Sequence, residues 1–280
     1  MDAKLAALCG ALRDMRRVLV AFSGGVDSSF LLRVAVEELG DQSVVALTTR
    51  SPTAPEDDAA IALALAQGLG VRHLVVDANE LEIPGYAANP TNRCYLCKRS
   101  LYDICRAEAA ALGAMPIVDG VNRDDLADYR PGLAAAAERG IRHPLADAGL
   151  GKDEIRALSR RFGLPTADKP SSPCLSSRFP YGTEITLAGL RKVAGAERVL
   201  RGLGFSECRV RNHDPVARIE VPSEHLARIL DPAVRAELLR ELKALGFLYV
   251  TVDLQGFRSG SLNEALAPGA IPPSADPPAS

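Results

Sequence analysis

Cysteine, histidine and net charge are all scarce in this sequence of 280 residues. Six cysteines are too few for a disulfide scaffold, and reduced thiols are the expectation. No apolar run reaches the roughly 18 residues that a membrane helix needs. Lysine and arginine number 33 against 35 aspartates and glutamates, a net charge of −2 with a pI near 6.1. No global field therefore draws the chain to nucleic acid. The opening stretch MDAKLAALCGALRDMRR reads as an amphipathic helix and lacks the charged-then-apolar layout of a secretory signal. No internal repeat stands out, and no two of the four histidines have metal-ligand spacing. What is present is ordinary for a globular chain, with 47% apolar and 24% charged residues, which excludes general disorder and fibrous structure. The length suits two domains, and the expected location is cytoplasmic.

The first part of the chain alternates short apolar runs with longer helical patterns. Strands are predicted over residues 18–22, 43–48, 73–77 and 116–119, and helices over 28–39, 55–69, 99–112 and 153–162. Parallel neighbours need crossovers, so this alternation predicts a doubly wound α/β fold with a parallel sheet. The runs VLVAF, VVAL and HLVV are continuous, as strands covered on both faces should be. Beyond Pro165 the pattern changes to a helix over 187–203, a hairpin of 206–212 with 216–221, helical runs from 223 to 245 and a strand over 247–254. This predicts a smaller α+β C-terminal domain. The expected division is 1–168 for the nucleotide domain, 169–182 for a turn-rich linker and 183–264 for the second domain. A disordered tail rich in Ala, Pro and Ser is expected over 265–280.

The most specific segment is Ser23-Gly24-Gly25-Val26-Asp27-Ser28-Ser29, between the first strand and the first crossover helix. The carboxyl end of a strand is where open α/β sheets bind ligands. Gly24 and Gly25 let the backbone approach an anion, the helix N-terminus offers N–H groups, and Ser23, Ser28 and Ser29 add hydroxyls. A G-x-x-x-x-G-K-[ST] loop is absent, and so is G-x-G-x-x-G. The segment resembles the pyrophosphate-binding PP-loop of the ATP pyrophosphatase superfamily, which has the adenine nucleotide alpha hydrolase-like fold and includes GMP and NAD synthetases, asparagine synthetases and thiouridylases. That resemblance implies ATP cleaved between its α and β phosphates, an adenylated substrate and pyrophosphate released with Mg²⁺. Asp27 would then hold the loop or the metal.

Asn92-Arg93-Cys94-Tyr95-Leu96-Cys97-Lys98 puts two thiols three residues apart at the start of a helix, where the helix terminus and the flanking cations favour thiolates. Structural zinc wants a second close pair, which is lacking. Cys174, in Pro173-Cys174-Leu175-Ser176-Ser177-Arg178, lies in an irregular segment. Three thiolates can hold three irons of a [4Fe–4S] cluster and leave the fourth open. The plainer reading makes Cys94 and Cys97 small core residues and Cys174 a loop thiol. Cys9, Cys105 and Cys208 are read as core residues.

The segments SGGVDS, NPTNRCYLCK, DGVNRDD, SPCLSSRFPYG and CRVRNHDPVARIEV, in this order, resemble the LarE family of sulfur transferases, which make the thiocarboxylates of the nickel-pincer nucleotide cofactor. The resemblance implies a pyridinium dicarboxylate mononucleotide as substrate, adenylation of a carboxylate by ATP, and attack by sulfur. Some members sacrifice the sulfur of a lone loop cysteine, and others with three cysteines relay sulfide on a cluster. With Cys94, Cys97 and Cys174 together, the cluster route is expected here and sacrifice of Cys174 comes second.

Arg209 and Arg211 alternate on one strand face, as a phosphate site would use them, though a solvated strand edge explains them equally from the residues alone. The resemblance tips them towards the substrate phosphate. It also implies that Glu197 and Glu220 lie near a divalent cation. Gly120 and Asn122 of DGVNRDD are expected beside the nucleotide, and Arg130 is a further phosphate candidate. Members of the family are homo-oligomers, so a trimer or hexamer is expected, with an external sulfide donor and no stable nucleic acid or membrane partner. The competing functions are an amide-forming ligase, a tRNA thiolase and an ATP-binding protein without turnover.

Overall fold

The structure is a computed structural model and describes residues 1–127, 131–258 and 261–265. It divides into two compact units. The first holds Met1–Glu80 and Asn92–Ser172, and the second holds Leu81–Thr91 and the described residues from Pro173 onward.

The first unit runs α1 (Asp2–Met15), β1 (Val18–Ala21), α2 (Val26–Leu39), β2 (Val44–Arg50), α3 (Glu56–Gly68), β3 (Arg72–Asp77), α4 (Arg93–Ala111), β4 (Ile117–Val118), α5 (Pro131–Glu138), α6 (Pro144–Asp147) and α7 (Lys152–Arg161). All strand pairs are parallel, in the order β3-β2-β1-β4. The period of two along β1 sends Val18 and Val20 into a core built with Leu8, Phe30, Leu31, Ile155 and Leu158. Leu19 faces the other way, into a core with Leu47, Tyr102, Cys105, Ile117 and Ala135. Both faces are covered at β1 and over residues 44–47 of β2, which are apolar throughout, whereas the edge strand β3 carries Arg72, His73 and Asp77 and leaves Val75 exposed. The doubly wound α/β fold read from the sequence is the fold observed.

Two details differ from the sequence reading. Helix α4 begins six residues early, because no Gly or Pro interrupts RCYLCKRSLYDICRAEAAA between Asn92 and Gly113. The short α5 and α6 were not foreseen.

The second unit contains α8 (Leu187–Gly202), β5 (Arg209–His213), β6 (Val216–Glu220), α9 (Leu226–Ile229), α10 (Pro232–Ala244) and β7 (Tyr249–Val252). Strands β5 and β6 form the expected hairpin, and β7 adds parallel to β6. Its core joins Leu200, Phe205, Val210, Ile219, Leu238 and Phe247. The Leu81–Thr91 segment joins this unit through backbone bonds that composition does not reveal. Gly182 N–H donates to the Asn89 carbonyl at 2.9 Å and Ile185 N–H to that of Ala87 at 2.8 Å. The Asn89 side-chain amide donates to Pro180 O at 2.7 Å. Residues 173–182, read as linker, therefore pack within the second unit.

Candidate active site

The strand order reverses between β1 and β4. Chain crossovers leave that edge in opposite directions, and the crevice beyond the strand ends is the natural ligand position. The Ser23–Ser29 segment follows β1 and Asp119-Gly120-Val121-Asn122 follows β4, so the sequence places both candidate nucleotide segments at this crevice. Gly24 has φ +69°, and a Cβ there would meet Ala62 N, Ala62 Cβ and Asp58 O, all at 3.1 Å. Gly25 caps α2. Ser28 Oγ lies 3.1 Å from Ser23 Oγ and donates to the Gly25 carbonyl at 3.3 Å, closing the loop on itself. A Cβ on Gly120 would stand 2.8 Å from the Ser28 nitrogen, so only glycine permits this approach of β4 to the first turn of α2.

Two lysines supply the cations that the loop lacks in sequence. Lys152, the first residue of α7, pairs with Asp27 Oδ2. Lys169 Nζ donates to the Gly24 carbonyl at 3.0 Å and pairs with Asp58 Oδ1 at 2.9 Å. Neither lysine was singled out from the sequence. The missing loop lysine was the available signal, because an anion site needs its positive charge from elsewhere. Asp27 Oδ1 is buried without a hydrogen-bond partner among the described residues. A carboxylate oxygen in that state suits the Mg²⁺ that accompanies a nucleotide, with Asp27 as its protein ligand.

The DGVNRDD loop is tied down by its own acids. Asn122, 2% exposed, accepts from Asp124 N–H at 2.9 Å and Asp125 N–H at 3.2 Å, so its carbonyl holds the turn. Asp124 Oδ2 accepts from Lys152 N–H at 2.7 Å, which fixes the start of α7 beside the loop. Asp119, 3% exposed, accepts from Tyr102 Oη at 2.6 Å, His143 Nδ1 at 2.7 Å and Val121 N–H at 3.1 Å. Burial opposes the Asp119 charge, but the hydrogen bond and charge of His143 outweigh it and hold the carboxyl below its usual 3.8. Burial likewise opposes the imidazolium, and Asp119, with Asp147 adding to it and Lys98 opposing it, raises His143 above 6.5. Burial and then the Asp119 charge push the Tyr102 phenol far up, so it stays a donor.

A raised histidine pKa stabilises the fold below pH 6.5, and the gain is lost as pH rises through the folded value. The urea midpoint of the parent protein should therefore exceed that of His143→Gln by most near pH 6. The difference should shrink steadily towards pH 9. A difference that is flat with pH would rule out the charged pair.

The thiols separate into two groups. Cys105 is buried and its pKa is pushed up to about 12, and burial does the same to Cys208, also to about 12. Cys9 is partly buried, and desolvation with the Glu38 contact raises it to about 11. All three stay protonated thiols at neutral pH. Cys94 is exposed and Cys97 half-buried in the first turns of α4, one helical turn apart. In the second unit, Cys174 is half-buried and precedes the 3-10 turn Leu175–Arg178. No group of three or more His, Cys, Asp or Glu side chains among the described residues is gathered to hold a metal. The chemistry of a C-x-x-C pair on a helix start nevertheless suits two iron sites of a cluster.

In the second unit the sequence candidates pair with one another. Arg211 makes a fork with Glu220, Nε to Oε1 at 2.9 Å and Nη2 to Oε2 at 2.8 Å, and also reaches the Ser177 carbonyl at 2.7 Å. Arg218 adds a bond to Glu220 Oε1 at 2.9 Å. Glu197 makes a second fork with Arg178, at 2.8 and 3.1 Å, and accepts from Val210 N–H at 3.1 Å. Both carboxylates expected near a divalent cation are thus occupied by guanidiniums, and neither fits a metal in this arrangement. Arg209 stacks on Phe257 with its guanidinium 5.0 Å from the ring. Burial and then the neighbouring positive charge of Arg178 lower its pKa. Arg130 lies outside the described residues.

Comparison with known proteins agrees with this geometry. The sequence model of the NAD synthase family matches residues 11–87, the segment that carries the loop. The tRNA-specific 2-thiouridylase MnmA of Azorhizobium caulinodans is 33% identical, over 56% of this chain and 49% of its own. Two other relatives match end to end. An uncharacterized protein of Synechocystis sp. is 47% identical over 95% of this chain and 99% of its own. The pyridinium-3,5-bisthiocarboxylic acid mononucleotide synthase of Lactiplantibacillus plantarum is 39% identical over 94% of this chain and 95% of its own. With both units covered at that identity, the chain belongs to the LarE family, that of the pyridinium-3,5-bisthiocarboxylic acid mononucleotide synthase.

Proposed function

We propose that this protein is an ATP-dependent sulfur transferase that converts carboxylates of a pyridinium dicarboxylate mononucleotide into thiocarboxylates. The observation that carries the reading is the Ser23–Ser28 loop at the sheet's switch point, with the Asp27–Lys152 pair beside it. A carboxylate is a poor electrophile. Its oxygen attacks the α-phosphorus of ATP, the α–β bridging bond breaks, and pyrophosphate leaves with Mg²⁺. The resulting acyl-adenylate then accepts a sulfur nucleophile at its carbonyl carbon, and AMP departs with the bonding electron pair. Gly24, Gly25 and the first turn of α2 bind the pyrophosphate, and Asp27 holds the cation. Arg209 and Arg211 take the phosphate of the mononucleotide, for which Arg211 would exchange part of its fork to Glu220. Support for Arg209 comes from its environment: a half-buried guanidinium stacked on Phe257, with Arg178 as a neighbouring cation, suits an anion.

Cys94, Cys97 and Cys174 would hold a [4Fe–4S] cluster, with external sulfide as the nucleophile that meets the acyl-adenylate. When bound, such a cluster would supply an iron site open to sulfide. The second route uses Cys174 alone. Its thiolate displaces AMP to give a thioester, a base removes the Cα proton, and the Cβ–S bond breaks to leave dehydroalanine and the thiocarboxylate.

Anaerobic reconstitution with iron and sulfide, followed by metal analysis and intact mass after turnover, tests the reading. About four irons per chain, lost in Cys94→Ala, Cys97→Ala or Cys174→Ala, are expected. A mass loss of about 34 Da at Cys174 without iron would establish the sacrificial route instead. Full ATP turnover by the triple alanine variant, with an amide and no thiocarboxylate formed, would overturn sulfur transfer and favour an amide-forming ligase.

A further inference from the structure

The Ser23–Ser29 loop has no lysine of its own, yet Lys169 reaches it from well over a hundred residues away in sequence. The surroundings of Lys169 are built for that reach. Arg156 of α7 donates Nη1 to the Ala167 carbonyl at 2.7 Å and Nη2 to the Lys169 carbonyl at 2.9 Å. Lys169 N–H closes a turn on the Thr166 carbonyl at 3.1 Å, and Thr166 is 2% exposed. The backbone at Lys169 is therefore clamped by the same helix whose first residue, Lys152, pairs with Asp27. Its ammonium bridges two things: the Gly24 carbonyl within the loop and the Asp58 carboxylate on the first turn of α3. That turn itself abuts Gly24, since Asp58 O and Ala62 would meet any Cβ placed there at 3.1 Å. The Lys169 side chain is 13% exposed and that of Asp58 18%, so the pair is largely sheltered.

We propose that Lys169 is a phosphate-binding residue held in reserve by Asp58: when ATP enters the loop, its ammonium exchanges the Asp58 carboxylate for phosphate oxygens. This rests on the reading that the loop takes ATP. A triphosphate carries several negative charges and outcompetes a single carboxylate for a cation already at the loop backbone. A compact ammonium on a flexible stem can turn between two acceptors, whereas a guanidinium fork would lock onto one. The exchange involves no covalent step.

The sign of one substitution separates this role from a plain structural ion pair. In a structural pair, removing either partner harms the loop, so Lys169→Ala and Asp58→Asn act alike. In the exchange, Asp58 competes with ATP, so the two act in opposite directions. Calorimetry of the full chain with the non-cleavable analogue α,β-methylene-ATP and Mg²⁺ measures this without any sulfur chemistry. Lys169→Ala should raise Kd about tenfold or more. Lys169→Arg keeps the charge but would fork onto Asp58, so it should raise Kd by more than about threefold. Asp58→Asn should lower Kd. A Kd raised by Asp58→Asn, or unchanged in Lys169→Ala, overturns the proposal, and if the alanine variant does not fold, the sign for Asp58→Asn decides alone. A parent protein that binds the analogue but releases no pyrophosphate from ATP with a carboxylate substrate would instead defeat the sulfur-transfer reading and leave this inference standing.

Discussion

Replacing Gly120 with alanine should reduce ATP-dependent pyrophosphate release by about a hundredfold or more while leaving the chain folded. The new Cβ would lie 2.8 Å from the Ser28 nitrogen, 3.1 Å from Ser28 Cα and 3.2 Å from the Asp27 carbonyl carbon. All three are backbone atoms of the first turn of α2. No rotamer change relieves the contact, so the turn must shift by several tenths of an ångström or the end of β4 must. A shift of the turn displaces the α2 N–H groups and the Asp27 carboxylate proposed to bind the phosphates and the cation, and a shift of β4 displaces the loop that follows it. Core packing around Leu19, Ile117 and Val118 is untouched, which is why the fold should survive. Gly10→Ala is the matched control. It lies within α1 with nothing within 4 Å of the added carbon, and should be neutral or stabilising by up to about 1 kcal/mol. Pyrophosphate release and far-ultraviolet circular dichroism on both variants check the pair of outcomes. A Gly120→Ala protein within threefold of the parent would show that the approach of β4 to α2 is not needed for chemistry.

How far the sequence alone leads can be judged from where it stops. The loop was legible because three signals coincide there: a fully apolar strand, two glycines and a hydroxyl-rich helix start, all local in sequence. The hairpin was legible for the same reason, and the predicted strand over 206–212 contains most of β5 (Arg209–His213). The helix that carries Cys94 and Cys97 was foreseen, but only the structure shows it continuous from Arg93 to Ala111. What stayed hidden is long-range polar pairing. Lys169 and Gly24 stand far apart in the chain, as do Tyr102, Asp119 and His143, and no periodicity links them. Glu197 and Glu220 show the cost of that blindness. Family resemblance drew them towards a metal, whereas each carboxylate is held by a guanidinium fork from Arg178 or Arg211. A lone glutamate in a sequence carries no mark of its partner. Leu81–Thr91 posed the same difficulty at the level of backbone, because its bonds to residues 182 and 185 leave no trace in composition.

Arg178→Ala should destabilise the second unit by about 3–5 kcal/mol, the cost of leaving a buried charge without its partner. Arg178 is 2% exposed and Glu197 3%. Besides the fork to Glu197, Arg178 Nη1 donates to the Pro173 carbonyl at 2.9 Å, the Cys174 carbonyl at 3.2 Å and Ser177 Oγ at 2.8 Å. One side chain therefore satisfies a carboxylate from α8 and pins the backbone on both sides of the Cys174 peptide. Without it, Glu197 keeps Val210 N–H at 3.1 Å and a distant Arg201 at 3.8 Å, too little to offset desolvation. Arg178→Lys should recover only part, since an ammonium cannot make the planar fork. The more telling variant is Arg178→Met combined with Glu197→Gln. It removes both charges yet keeps a side-chain carbonyl able to accept from Val210 N–H, so the loss should fall to about half or less of the single variant's. Native-state hydrogen exchange at Val210 and Ile219, which face each other across the hairpin, reads the stability of this unit in the intact chain. If the double variant is as unstable as Arg178→Ala, the penalty comes from the lost bonds to Pro173, Cys174 and Ser177 and not from the stranded carboxylate.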